Sequence, residues 1–176
     1  FGVEMGMSKA DLGISNASQM LAEGTFKWKV ESLPKNSRFF EYYIVQVTPQ
    51  NGLCYLKAVG QDVSTSAYGT SLRTAFDKVN NQLQKKYSGG TNADFLRSGS
   101  IWDEPEDFMM GLQKSERVLA AYYDEEEGST MVEGVTKAYL TANAASSDSG
   151  WVSINYVFEN HDACTEELNA LDASVF

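Results

Sequence analysis

His161 is the only histidine in the chain, and Cys164 follows it three residues later. That spacing places both on one face of a helix. A histidine beside a thiol can generate a thiolate nucleophile when a third group orients the base. No third group is legible. Asn160 reads as a helix N-cap, which puts His161 in the first turn, where the helix dipole disfavours positive charge. The pair therefore reads as incidental.

The acidic run Asp124-Glu125-Glu126-Glu127 offers oxygen ligands. It lacks the alternating spacing and central glycine of an EF-hand loop, and reads as a solvated hairpin turn. The chain carries no P-loop, G-x-G-x-x-G or G-x-S-x-G motif. No two carboxylates stand out as an acid and a base in an apolar pocket. No catalytic, cofactor-binding or metal-ligating residue is assigned on this reading, and no cofactor is expected.

Cys54 and Cys164 are too far apart for a C-x-x-C redox or zinc motif. Two inert buried thiols are one reading, and one long-range disulfide in an oxidising compartment is the other. Cys54 shares a strand face with Leu56 and Ala58, and Cys164 falls in the first turn of the last helix. If that helix folds back across the sheet, the sulfurs meet and close a loop of about 110 residues. Asn16-Ala17-Ser18 matches the glycosylation sequon, which matters only in a eukaryotic secretory route.

The aromatic residues exceed what a small core needs: Trp28, Phe39, Tyr42, Tyr43, Tyr55, Tyr68, Trp102, Tyr122, Tyr123 and Trp151. Tyr and Trp combine an apolar body with a polar tip and are enriched at protein interfaces. Trp28, Tyr43, Tyr68, Trp102, Tyr123 and Trp151 are the interaction candidates.

The elements that must position these residues follow from periodicity. Residues 25–31, 39–48 and 53–60 alternate as strands, the last two joined by the turn Pro49-Gln50-Asn51-Gly52. In 70–87, Leu72, Phe76, Val79, Leu83 and Tyr87 form one apolar helical stripe, with Thr70 as N-cap and Gly89-Gly90 as terminator. Ser8 and Asp11 form a weak capping pair opening a short helix. Residues 91–104 read as irregular, and Asp103-Glu104-Pro105 opens a shorter helix with Phe108 and Leu112. Strands follow at 116–123, about 131–142 and 150–159, then a helix at about 162–173. Strands in runs predict an α+β class with an antiparallel sheet of about six strands. The chain is expected to form a single domain over 1–176, with a possible pseudo-repeat of halves 1–90 and 91–176, each a helix followed by three strands; one continuous sheet is the alternative.

Composition narrows the function classes. The 176 residues carry 14 basic against 24 acidic side chains, a net charge of −10. Nucleic-acid binding needs a basic footprint, which is missing, and the same charge disfavours anionic membranes. No apolar run is long enough to span a bilayer. Phe1-Gly2 is the kind of start left by signal-peptide removal, so a periplasmic or secreted location is expected.

The segment Gly2-Val3-Glu4-Met5-Gly6-Met7-Ser8-Lys9-Ala10-Asp11-Leu12 resembles the start of small exported bacterial domains related to the outer-membrane assembly lipoprotein and β-lactamase-inhibitor-like group. Gly52-Leu53-Cys54-Tyr55-Leu56 and Tyr156-Val157-Phe158-Glu159-Asn160 with Cys164 look like anchor points of an exported bacterial family. The resemblance implies helices paired with an antiparallel sheet and action by binding other proteins. The leading expectation is a non-enzymatic protein-binding module of the cell envelope. The alternatives are a small-ligand carrier with an aromatic-lined cleft between helix 70–87 and the sheet, and an enzyme using His161 or a carboxylate pair.

Overall fold

The computed structural model describes residues 1–15 and 18–173, so Asn16 and Ala17 of the sequon lie outside the described residues. The elements are β1 (Lys27–Val30), β2 (Phe40–Thr48), β3 (Gly52–Gly60), β4 (Val63–Ser64), α1 (Thr70–Tyr87), β5 (Thr91–Leu96), α2 (Phe108–Gln113), β6 (Arg117–Asp124), β7 (Val135–Ala144), β8 (Ser149–Phe158) and α3 (His161–Ala173). The class is α+β. The strands form one open antiparallel sheet in the order β1-β2-β3-β8-β7-β6-β5, with β4 paired to β8.

Two strands exceed the expected six. β4 has only two residues. β5 corrects the expectation that 91–104 is irregular: Thr91 to Leu96 pair with Tyr122 to Arg117. The segment has little apolar character, and tertiary partners hold it. Asp94 receives both Arg73 and Arg117, and Asn92 accepts from Asn80.

The described chain divides into two compact units. Unit 1 contains Phe1–Val59, Val132–Thr136 and the residues from Asn155 onward; unit 2 contains Gly60–Met131 and Lys137–Ile154. These segments interleave and do not follow the halves 1–90 and 91–176.

In unit 1, Val45, Val47, Leu53, Leu56 and Phe158 form the core. The first residues lie along β3, with Gly6 N donating to Leu53 O and Leu53 N to Met7 O. This approach requires glycine at 52. Its φ is +65°, and a Cβ there would overlap the backbone of Gly6. The helix expected from Ser8 is absent. The capping pair does form, with Ser8 N and Oγ bonded to Asp11 Oδ2 at 2.8 and 2.6 Å. Gly13, at φ +68°, then ends the turn at once, and Ile14 N reaches back to Lys9 O at 2.8 Å. That is a helix C-terminal closure with no helix before it.

Cys54 and Cys164 are joined by a disulfide, Cα atoms 6.6 Å apart. Two further contacts fix α3. Asn160 Nδ2 donates to Asn51 O and Leu53 O. The Glu167 carboxylate accepts from Gln50 N, Asn51 N and Asn51 Nδ2 at 2.9, 3.3 and 2.8 Å. The Asn160 side chain is thus turned onto the β2–β3 turn, while its carbonyl accepts from Cys164 N as the first bond of the helix.

In unit 2, the α1 stripe Leu72, Phe76, Val79, Leu83 and Tyr87 is fully buried. It packs on the sheet face bearing Ala121, Tyr123, Ala138 and Leu140, all at 1 % exposure or less. Gly150 lets Leu72 and Met109 approach the strand backbone. These side chains pack the layer between α1 and this face of unit 2. Gly69, at φ +69°, takes the N-cap position expected for Thr70, because the ring of Phe108 occupies the space of a Cβ there. Thr65 Oγ1 accepts from Ser71 N at 3.0 Å and supplies the missing cap.

Candidate functional site

The pleat sends alternate residues of unit 2's strands away from α1. Tyr123 marks the covered face, because its hydroxyl bonds Asn80 of α1 and its ring lies 5.8 Å from Tyr87. Tyr122, Ala120 and Val118 therefore point to the opposite face. Register then sets rows across the strands. Tyr122 faces Tyr139, with rings 6.4 Å apart and nearly parallel. One pleat along, Ala93, Ala120 and Thr141 sit side by side. The next row contains Phe95 and Val118.

A low row of small residues between bulky rows makes a depression of about 290 Å³. Val118, Ala120, Tyr122, Thr141, Asn143 and Trp151 line it, with Arg97 and Gln113 at one end. Its floor is polar and internally satisfied. Thr141 Oγ1 and Ser153 Oγ are 2.9 Å apart, and Asn143 Nδ2 reaches Ser153 Oγ at 3.2 Å. Ser153 is fully buried there, which is tolerable because its hydroxyl has these partners. The rim is half-exposed, and Phe95 beside it is 50 % exposed.

The covered face of unit 2 carries a charged cluster of structural character. Asp94 takes Arg73 Nη1 at 2.7 Å and Arg117 Nη2 at 2.8 Å. Burial pushes the Asp94 carboxyl up, but hydrogen bonds from both arginines and their charges outweigh it, holding it below the usual carboxylate range. Both guanidinium groups also lie over the Phe108 ring, at 3.8 and 5.0 Å. The site ties α1, α2, β5 and β6 together.

The interaction candidates divide. Trp28, Tyr43 and Tyr123 are core residues, at 6 %, 1 % and 1 % exposure, and this corrects their placement on an interaction surface. Trp28 lies under Lys9, 4.2 Å from the ring, and Tyr43 meets Phe1 edge to face. Burial pushes the Tyr123 hydroxyl up to about 12. Alternation predicts which residues share a face but not which face the helices cover, so these three could not be told from surface aromatics. Tyr68 is exposed, and Trp102 and Trp151 are half-buried. Of the six, Trp151 lines the depression. Tyr122, Thr141 and Asn143, which line it, are not among the six. The small residues alternating with Tyr122 and Trp151 were the available signal.

The Cys–His dyad is not formed, because the Cys164 sulfur is bonded to Cys54. His161 Nδ1 lies 3.8 Å from Asp162 Oδ1, beyond hydrogen-bond range, and its ring is 6.5 Å from Tyr55. In the acidic turn, Asp124 accepts from Glu127 N at 2.9 Å and pairs with Lys137 at 3.0 Å. Thr91 Oγ1 donates to Glu127. Among the described residues, no three His, Cys, Asp or Glu side chains are gathered as a metal site, and no helix is long and apolar enough to cross a membrane. No protein-family model matches this chain, and comparison with curated proteins and with solved structures finds no match.

Proposed function

We propose that this chain is a non-enzymatic protein-binding module of the bacterial cell envelope, and that it engages its partner through the face of unit 2 turned away from α1. One observation carries the reading: the depression lined by Tyr122 and Trp151 around small and polar residues, with Tyr139 stacked beside Tyr122. Rigid aromatic side chains around a recess are what protein interfaces use as anchors, because they bury large areas at low entropic cost. The recess is shallow and at the small end of the range for ligand sites. It suits one or two inserted side chains better than an enclosed molecule. The disulfide supports an oxidising, exported location.

Replacing Tyr139 with benzoylphenylalanine and irradiating the protein in periplasmic extract tests this. The expected result is a discrete protein adduct from position 139 and none from the same probe at Lys78, an exposed position on α1. The purified partner should then bind Trp151→Ala more than about tenfold more weakly. Identical adducts from both positions, or binding unchanged by Trp151→Ala, would remove the reading.

A further inference from the structure

Unit 1 presents a second uncovered face, and its chemistry is cationic. β1 alternates Lys27 and Lys29 with Trp28 and Val30, and Trp28 is buried. Register places Lys27 opposite Gln46 and Lys29 opposite Ile44. The Lys29 ammonium lies 4.1 Å from the ring centre of Tyr42, and the Lys27 ammonium 5.6 Å from that of Tyr55. Tyr55 is anchored by its hydroxyl, which donates to Asn155 Oδ1 at 2.5 Å. Lys57 follows Tyr55 by two residues and so shares its face.

Three lysines thus gather on one face of a chain with ten more acids than bases. Among the described residues none of the three forms an ion pair, unlike Arg73, Arg117 and Lys137. Burial, and then the charge of Lys27, hold the Lys57 ammonium below the usual lysine range. The cluster is therefore self-repelling and not neutralised from within.

We propose that the face carrying Lys27, Lys29 and Lys57 docks an acidic segment of a partner protein. This rests on the protein-binding reading and names the partner's chemistry. Carboxylates set among the ammonium groups would relieve the repulsion. Tyr42 and Tyr55 beneath them already hold two of the lysines by cation–π contact, so little ordering remains to be done on binding. A short acidic segment meets only the local field, because charges farther than about 8–10 Å away are screened at physiological salt. An extended anionic bilayer or a nucleic acid would instead face the net charge of the whole acidic chain, and three lysines displace too few counterions to hold either.

Amide NMR of the full chain decides it. The probes are a short capped peptide of repeated Glu-Asp-Tyr, its Gln-Asn-Tyr counterpart, and phosphatidylglycerol vesicles. The acidic peptide should shift amides of β1 and of β3 around Lys57, weaken steeply with added salt, and bind the Lys27→Gln/Lys29→Gln/Lys57→Gln variant more than about tenfold more weakly. The corresponding triple Arg variant should retain binding, which separates charge from fold. Shifts elsewhere, equal binding of the neutral peptide, undiminished binding by the Gln variant, or competition by vesicles would overturn the proposal. If the peptide fails while the adduct from position 139 persists, only this proposal falls and the protein-binding reading stands.

Discussion

Glu167 is a buried carboxylate whose partners lie more than a hundred residues away in sequence. Burial pushes its carboxyl up, but hydrogen bonds from the Thr48 hydroxyl, Gln50 N, and the Asn51 side chain and N–H outweigh this and hold it below the usual glutamate range. Its folded pKa is lower than its unfolded one. The stabilisation is thus fully present above the unfolded value, near about 4.3, and is lost as pH falls through the folded value. Glu167→Gln should cost about 1–3 kcal/mol at neutral pH, as expected for losing hydrogen bonds to a charged group. Urea midpoints should fall between about pH 5 and 3 in the parent and fall less in the variant. Equal acid sensitivity of the two would refute the assignment. On the uncovered face of unit 2, Ala120 is the small residue that opens the depression. Ala120→Leu should fill it and abolish partner capture; Ala120 is itself only 1 % exposed, so a melting temperature within a few degrees of the parent is needed to separate filling from overpacking. A variant that captures the partner normally would show that the depression is not used.

At the scale of elements, α1 is held by its stripe and by the contacts that tie its ends. Phe76 is 3 % exposed. Phe76→Ala should cost about 3–5 kcal/mol by lost transfer energy plus a residual cavity; a thermal melt within a few degrees of the parent would sink this. The same stripe is legible in the amino-acid sequence, because five apolar residues at helical spacing bury only one way. The turn at Ser8 and the strand β5 are not legible there, for opposite reasons. Ser8 and Asp11 carry a local helix signal that Gly13 overrides within one turn. β5 has almost no local signal, and Arg73, Asn80 and Arg117 hold it through side-chain contacts.

Across the whole molecule, the disulfide links residues 110 positions apart. It joins the start of β3 to α3, which is otherwise fixed by Asn160 and Glu167. Reduction should destabilise the protein by at most about 4–5 kcal/mol, the chain-entropy limit for such a loop, and it should expose α3 to proteolysis first. Intact mass with and without reductant, followed by limited digestion, measures both; two freely alkylated thiols in the non-reduced protein would contradict the bond.

Alternation and stripes are local, so the sequence by itself determined the α+β class, the antiparallel hairpin around Asn51-Gly52, helix α1 except for its cap, and the pairing of Cys54 with the last helix as one of two options. Strand order, the interleaving of the two units and the covered face of each strand arise from contacts between distant segments, and only the tertiary structure decided them. For that reason Trp28, Tyr43 and Tyr123 went into the core while Tyr122, Trp151 and the lysines beside Tyr42 and Tyr55 came to the surface. A period-two pattern separates two faces of a strand, but burial is assigned to one of them by whatever packs against it.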